Sequence, residues 1–335
     1  MKAVMYFNNK DNRIVEIPQP ILGQREILVK IISCGLCGSD VAEWYRMKSA
    51  PLVCGHEAAG EIAQVGNLVH DFKVGQRVFL APKAPCLTCS FCQKAKYAVC
   101  NNPSRYSPGG FSEYVLVPES HLIAGVYPLP DSLSFDHATF VEPLGCVIHA
   151  QELARVDVGQ TVLVIGAGMS GLLHVKYAKW KGAVVHAIDI SEERKQIALR
   201  MGADSIHLPE KADVVILSTG ALSAIEQAFT TVAKGGSVIF FAVPSPEKQI
   251  ITPLNEFWQK EISLITSYYC GPPDLREALG LLESKEITVE DLITHHLSLD
   301  EIQKGYDLVI EGKNSLKIII HPQQYLQSLE STASN

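Results

Sequence analysis

The stretch Thr161-Val-Leu-Val-Ile-Gly-Ala-Gly-Met-Ser-Gly171 decides the fold of the second half of this chain. Its first five residues form a continuous apolar run, which is typical of a strand buried on both faces of a parallel sheet. Glycines follow at positions 166, 168 and 171, and residues 172–181 then have the apolar spacing of a helix. The stretch therefore predicts a strand, a tight glycine turn and a helix in immediate succession.

A carboxylate completes this pattern, because Asp189 ends the next apolar run, 18 residues after Gly171. Glycines in this context let the backbone approach a pyrophosphate, and an acidic residue here accepts hydrogen bonds from ribose hydroxyls. We therefore predict a Rossmann site for NAD, since a carboxylate repels the 2′-phosphate of NADP and Ile190 follows it. The alternative is that the glycines serve only close strand–helix packing. The candidate cofactor-binding residues are Gly166, Gly168, Met169, Ser170, Gly171, Asp189 and Arg194.

The pattern along the chain predicts an α/β protein with two domains. Short alternating runs broken by Gly, Pro and Asn indicate an all-β domain over about 1–150. Buried strands then alternate with helices over 151–285, which indicates a doubly wound parallel sheet. From about 286 to 335 the pattern becomes mixed and returns to the first domain.

Composition excludes several classes of protein. The chain has 335 residues and a net charge of −7, which argues against nucleic-acid binding. Its 47% hydrophobic content excludes wholesale disorder, and no apolar run reaches the roughly 18–20 residues of a membrane span. The first residues lack the apolar core of a signal peptide, so we expect a cytoplasmic protein.

A cluster of cysteines lies in residues 82–108, a segment rich in Pro, Lys and Ser with little apolar periodicity. Four thiolates at short spacing can surround one tetrahedral zinc ion and leave no position open, which predicts a structural zinc. Disulfides or an iron–sulfur cluster are the alternatives. The four candidate ligands are Cys86, Cys89, Cys92 and Cys100.

A second group of candidate metal ligands is dispersed along the chain. Cys37 lies in Cys-Gly-Ser-Asp, Glu57 follows His56, and Glu142 precedes Pro143. Taken singly, such residues are more often a packed thiol, a hydrogen-bonded histidine and a capping or surface glutamate. Spacing alone therefore leaves a catalytic metal open.

These motifs in combination resemble the zinc-containing medium-chain dehydrogenases, in the sorbitol or polyol dehydrogenase branch. The family pattern G-H-E-x2-G-x5-G-x2-V is matched from Gly55 to Val69, and the four clustered cysteines have the family's spacing. The resemblance covers about 1–320. It implies a GroES-like β-barrel catalytic domain, built from 1–150 and 286–335, and a Rossmann domain over 151–285.

The resemblance also implies a site and a reaction. Cys37 and His56 would bind a catalytic zinc, Glu57 and Glu142 would share the remaining protein position, and Ser39 would relay the proton. The implied activity is NAD-dependent hydride transfer to or from a secondary alcohol of a polyol, sugar alcohol or cyclitol, in a homodimer or homotetramer. Two alternatives stay open: a threonine-dehydrogenase-like amino-alcohol oxidation, and a non-catalytic zinc- and NAD-binding regulator.

This sequence departs from the family pattern at three places. Ala42 stands where many relatives carry a relay histidine, with Glu43 beside it, and Tyr268 stands where sorbitol dehydrogenases tend to carry Arg. The interval between Cys37 and His56 is also short. We further expect the remaining cysteines to be packed thiols and His295-His296 to lie in a surface loop.

Overall fold

The computed structural model describes residues 1–323, and the chain divides into two compact units. The first unit contains Met1–Glu142 and the segment from Gly271 onward, and the second is Pro143–Cys270. The expected divisions at 150/151 and 285/286 lie several residues later than these. At the first division, the helix over 141–153 explains the difference, because most of it belongs to the second unit. Within that unit, Nε2 of Gln151 donates a hydrogen bond of 3.0 Å to the His174 carbonyl.

Fifteen strands run through the described residues, with bounds set by alternating or continuous apolar side chains. They are β1 (Lys2–Asn8), β2 (Asp11–Glu16), β3 (Ile27–Leu36), β4 (Leu52–Val53), β5 (Glu57–Val65), β6 (Arg77–Leu80), β7 (Tyr114–Val117), β8 (Val126–Pro128), β9 (Thr161–Ile165), β10 (Val184–Ile188), β11 (Ala212–Leu217), β12 (Val232–Phe240), β13 (Ser263–Thr266), β14 (Ile293–Ser298) and β15 (Lys317–His321).

Ten α-helices accompany these strands in residues 1–323, and none combines the length and apolar character needed to cross a bilayer. They are α1 (Glu43–Arg46), α2 (Glu119–Gly125), α3 (Phe135–Ala138), α4 (Val141–Leu153), α5 (Met169–Trp180), α6 (Glu192–Arg200), α7 (Leu222–Thr231), α8 (Leu254–Lys260), α9 (Pro272–Glu283) and α10 (Ile302–Glu311).

The first unit is built mainly on a sheet in the order β14-β15-β3-β5-β6-β8, with β7 also paired to β3. A smaller sheet has the order β2-β1-β4. Long strands β3 and β5 supply the centre of the core, where Ile27, Val29, Ile31 and Ile62 are fully buried. Strand β15 pairs with β3, so residues 317–321 belong to the same sheet as the long strands near the start of the chain.

The second unit is a five-stranded parallel sheet in the order β10-β9-β11-β12-β13. The chain moves outward from β9 in one direction and then in the other, which is the doubly wound arrangement. Strand β9 occupies Thr161–Ile165 and β11 occupies Ala212–Leu217, the two ranges that their apolar runs predict. Strand β14, in contrast, contains His295 and His296, so the expected surface loop there is wrong.

The turn between β9 and α5 requires glycine, which has no side chain, at two of its positions. Gly166 has φ +98°, a conformation that favours glycine, and its N–H donates to the Ile188 carbonyl at 2.9 Å. A Cβ on Gly171 would lie 1.8 Å from the Gly166 carbonyl oxygen, whereas a Cβ on Gly168 would meet only an Arg194 nitrogen at 3.6 Å. The third glycine is therefore required for the close contact between helix and turn.

We predict that Gly171→Ala lowers the free energy of unfolding of the second unit by about 1–3 kcal/mol, the usual range for overpacking. The matched variant Gly168→Ala should unfold at nearly the wild-type temperature because its Cβ has space. Thermal unfolding by circular dichroism without added nucleotide measures both variants. Equal unfolding temperatures for the two would contradict this account of the turn.

Candidate active site

Pairing of β3 with β5 creates the central cluster. The two strands are antiparallel, with Gly35 opposite Glu57. Cys37 therefore follows the end of β3 at the same edge where His56 precedes β5. The Cys37, His56 and Glu57 side chains each offer a ligand atom, and these atoms lie within 4.8 Å of one another. Three of the predicted ligands are thus brought together.

The Cys37 sulfur accepts two hydrogen bonds from Ser39. The Ser39 backbone N–H and the hydroxyl Oγ each lie 3.4 Å from Sγ. These two contacts fix the position of the sulfur at the end of β3. The same hydroxyl lies 3.4 Å from Nε2 of His56, so Ser39 contacts both predicted ligands.

Asp40 positions the histidine, a role that the sequence analysis did not assign. Its buried carboxylate lies 3.3 Å from Nδ1 of His56 and accepts a hydrogen bond from Arg46 at 2.6 Å. Burial would raise the pKa of Asp40, but the charges of His56 and Arg46 outweigh burial and lower it to about 2. The carboxylate beside Nδ1 orients the imidazole ring, whose Nε2 faces the Ser39 hydroxyl.

Glu57 is held by a lysine from the far end of the chain. Lys317 on β15 donates to Oε2 of Glu57, and both side chains are completely buried. Oε1 of Glu57 is also buried and has no hydrogen-bond partner among the described residues. Buried carboxylate oxygens are normally paired, so an atom left this way beside Cys37 and His56 is suited to a cation.

Close packing around this ion pair requires a glycine in β3. A Cβ on Gly35 would lie 2.0 Å from Oε2 of Glu57 and 2.7 Å from Cε of Lys317. Breaking a buried ion pair leaves an uncompensated charge and is strongly destabilising. The sequence analysis assigned no role to Gly35 or Lys317, because neither belongs to a local motif.

Two further acidic residues from the sequence analysis lie outside the cluster. Glu142, in the first turn of α4, is 6% exposed but is not a member of the three-residue group. The pKa of Tyr106 is raised, mainly by burial, with the charge of Glu142 as a further cause. Glu43, the neighbour of Ala42, accepts a hydrogen bond from the Asn9 backbone at 3.2 Å.

The donor set of the cluster fits zinc. Thiolate, imidazole and carboxylate are the three ligand types that zinc takes in proteins, and catalytic zinc sites keep three protein ligands and one open position. A carboxylate oxygen of Glu57 lies within 4.8 Å of the sulfur and the nitrogen, and Oε1 of this carboxylate has no hydrogen-bond partner among the described residues.

The cysteine segment closes around a second cluster. Sγ of Cys89 lies 3.5 Å from Sγ of Cys92 and 4.0 Å from Sγ of Cys100, and all four sulfurs lie within 4.8 Å of one another. Four thiolates around zinc at about 2.3 Å would be about 3.8 Å apart, which agrees with these distances. An antiparallel bridge between Ala84 and Ser104 joins the two ends of the segment.

Hydrogen bonds within the segment favour thiolates. Donation from Thr88, and then from the Cys89 backbone, lowers the pKa of Cys86 to about 5, and the pKa of Cys89 is also lowered. Burial raises the pKa of Cys92 to about 12. All nine cysteines are free of disulfides, so the arrangement fits one metal ion and not a cross-link.

The second unit has a cavity of about 640 Å³ at the carboxyl ends of its strands. Four of the predicted cofactor-binding residues line it, namely Gly166, Gly168, Asp189 and Arg194. Met169, Ser170 and Gly171 begin α5 and are not among the lining residues. Residues after β11 that the sequence analysis did not name, Ser218 and Thr219, also line the cavity.

Two backbone N–H groups fix the carboxylate of Asp189. Ala167 donates to Oδ2 and Ser191 donates to Oδ1, both at 2.8 Å. Each carboxylate oxygen can accept a further hydrogen bond, so the side chain stays available to ribose hydroxyls. Its position at the cavity wall agrees with the expected role in nucleotide binding.

Comparisons with known proteins agree with this structure. Residues 23–131 match the alcohol dehydrogenase GroES-like domain, and residues 171–284 match the zinc-binding dehydrogenase family. The chain therefore belongs to the zinc-containing alcohol dehydrogenase family, in its polyol dehydrogenase branch. The predicted family, the GroES-like and Rossmann folds and the oxidoreductase class are confirmed.

Named relatives cover nearly the whole chain. A sorbitol dehydrogenase from Bombyx mori is 31% identical, with 96% of this chain and 98% of the relative covered. A D-arabinitol dehydrogenase from Uromyces fabae is 29% identical over 96% and 97%. A zinc-binding dehydrogenase from Sinorhizobium meliloti, solved with NADP, has a TM-score of 0.83 at 27% identity over 96% and 99%.

We predict that Cys89→Ser removes one zinc equivalent per chain and lowers the unfolding temperature, because the hydroxyl replaces one of four thiolates. Nucleotide binding should be retained, since the cavity of the second unit contains no residue of this segment. Elemental analysis and NADH fluorescence titration measure the two properties. Unchanged zinc content would contradict a metal at these cysteines.

Proposed function

We propose that this protein is an NAD-dependent zinc dehydrogenase that oxidises a secondary alcohol of a polyol, sugar alcohol or cyclitol. The proposal depends mainly on one observation: a thiolate, an imidazole and a half-paired buried carboxylate meet at Cys37, His56 and Glu57. A protein that only held nucleotide would not require such an incomplete ligand set. In the reaction, the alcohol carbon gives a hydride to nicotinamide, the hydroxyl loses a proton, and a ketone and NADH result.

Cys37 and His56 hold the catalytic zinc in this proposal, and Glu57 or Glu142 occupies the third protein position. When bound, zinc supplies Lewis-acid catalysis that favours loss of the alcohol proton. Asp40 fixes the orientation of His56, and Lys317 neutralises one oxygen of Glu57. The paired charges keep the site from accumulating excess negative charge as the thiolate forms.

Ser39 relays the alcohol proton in the proposed mechanism, because its hydroxyl oxygen accepts that proton while it gives its own proton to the next acceptor on the path to solvent. Arg46 donates to its hydroxyl oxygen at 3.2 Å and to its carbonyl at 3.0 Å, so the side chain is held in place. Arg46 stays protonated and cannot carry the proton onward. Because position 42 is Ala and Glu43 is bound to Asn9, water or the cofactor ribose completes the path to solvent.

NAD is the proposed cofactor, although the relative from Sinorhizobium meliloti contains NADP. The argument is electrostatic, since the Asp189 carboxylate lines the cavity where the adenosine ribose would lie, and a 2′-phosphate there would meet a like charge. Ile190, which follows it, offers no positive charge and is fully exposed.

The proposal also includes assembly and location. A homodimer or homotetramer remains a prediction from the family. We place the enzyme in the cytoplasm because four clustered free cysteines are maintained best in a reducing compartment.

We predict that NAD-dependent activity appears with polyols or cyclitols and not with L-threonine, in a substrate panel monitored by NADH absorbance.

We also predict that Cys37→Ser lowers kcat/KM roughly a thousandfold, because removing a zinc ligand costs several kcal/mol of transition-state stabilisation. Cys34→Ser, three residues away and outside the cluster, should retain activity. Activity with L-threonine alone would favour the amino-alcohol alternative, and activity in Cys37→Ser would reject the assigned site.

We predict that Asp189→Ala narrows the preference for NAD over NADP by about tenfold or more, since a charge-assisted hydrogen bond contributes about 1.5–3 kcal/mol. The ratio of kcat/KM for the two nucleotides measures this effect. Gln227→Ala, another residue of the cavity wall, serves as the control. An unchanged ratio in Asp189→Ala would reject its role at the ribose.

A further inference from the structure

A third group of metal-ligand side chains lies in the first unit, away from both predicted zinc clusters in sequence. Asp136 on α3, His296 on β14 and His321 on β15 each direct a ligand atom to one point, and these atoms lie within 4.8 Å of one another. None of them belongs to a motif of the family or to the proposed mechanism. Parallel pairing of β14 with β15 brings the two histidines together.

The distances between these atoms match a tetrahedral ion. Nδ1 of His296 lies 3.2 Å from Nε2 of His321 and 3.3 Å from Oδ2 of Asp136, and Nε2 of His321 lies 3.8 Å from Oδ1 of Asp136. Nitrogen and oxygen ligands around zinc at about 2.0–2.2 Å would be about 3.4 Å apart. The distances from His296 to His321 and to Oδ2 of Asp136 are close to this value, whereas the 3.8 Å distance from His321 is to the other carboxylate oxygen.

The surroundings of the cluster orient its donors. Nδ1 of His321 lies 3.1 Å from the Ile32 carbonyl, so this nitrogen carries the proton and donates it to the backbone. Nε2 then directs an electron pair at His296 and Asp136. Ser33 donates to Oδ1 of Asp136 at 2.5 Å and fixes the carboxylate. Such outer hydrogen bonds are typical of metal-binding histidines and carboxylates.

The cluster contains more acceptors than donors. His321 is 3% exposed, so its ring nitrogens have no contact with bulk water and depend on protein groups or a bound ion as partners. Nδ1 of His296 faces both Nε2 of His321 and Oδ2 of Asp136. A divalent cation would satisfy all three groups, and the His296 side chain, 40% exposed, leaves a solvent-facing side for water ligands.

We propose that Asp136, His296 and His321 form a third metal site, which binds a divalent transition ion of the zinc type. Two imidazoles and one carboxylate are a ligand set that such ions accept readily, and the absence of a thiolate distinguishes it from the other two sites. A bound ion would connect α3 with β14 and β15, which lie far from it in chain order. This proposal is independent of the proposed dehydrogenase function.

Cobalt is the probe for this site, because its visible spectrum reports the ligands. The zinc-loaded protein as purified is titrated with Co²⁺ near pH 8 by calorimetry and absorption spectroscopy. We expect one Co²⁺ per chain, with weak ligand-field bands and without thiolate-to-cobalt charge transfer. His296→Ala and Asp136→Asn should each weaken this binding at least tenfold. The matched control His295→Ala should bind like wild type, because that ring contacts Thr294.

Three outcomes would overturn the proposal. The first is that the zinc-loaded wild type takes up no Co²⁺. The second is that the bound Co²⁺ shows a thiolate charge-transfer band, because this band marks exchange into a cysteine site. The third is that His296→Ala takes up as much Co²⁺ as wild type. Thermal unfolding with and without Zn²⁺ provides a second measurement, in which wild type and His295→Ala should be stabilised more than His296→Ala. These experiments do not depend on the results of the substrate panel or of the Cys37→Ser variant. A negative result would therefore reject the third metal site and would not count against the proposed dehydrogenase function.

Discussion

Antiparallel pairing of β3 with β5 is the constraint on which the candidate active site depends. With Gly35 opposite Glu57, the end of one strand and the start of the next place Cys37 beside His56. A shift of this register by one residue would turn side chains to the opposite face of the sheet. Such a shift is unfavourable because Ile27, Val29 and Ile62, which are fully buried in the core, would lose their packing there.

Charge compensation is the second property that the first unit maintains. Asp40 is paired with Arg46, and Glu57 is paired with Lys317, so these two buried carboxylates beside the cluster each face a cation. Unpaired buried charges would cost several kcal/mol each. The compensation is incomplete at Oε1 of Glu57, which has no hydrogen-bond partner among the described residues, and Glu57 is the third member of the candidate ligand group. The two ion pairs therefore make burial of these carboxylates possible and also position the side chains of the candidate active site.

Local patterns in the sequence predicted much of the molecule, because strands, turns and close ligand pairs are encoded by neighbouring residues. The apolar runs predicted the bounds of β9 and β11 correctly. The four cysteines between residues 86 and 100 form one cluster, as their short spacing predicted. Asp40 stood in a quoted motif but received no role. Its function depends on Arg46 and His56 meeting it in space, which no spacing rule predicts.

Sequence by itself therefore determined the family, the parallel sheet with its glycine turn, and the residue types available for zinc and nucleotide. Only the tertiary structure decided that Lys317 neutralises Glu57 and that His296 and His321 face Asp136. The physical reason is the range of the interactions. Turns and buried strands follow from energies between near neighbours, whereas ion pairs and metal clusters form where strand pairing joins distant segments, and that pairing depends on the packing of the whole core.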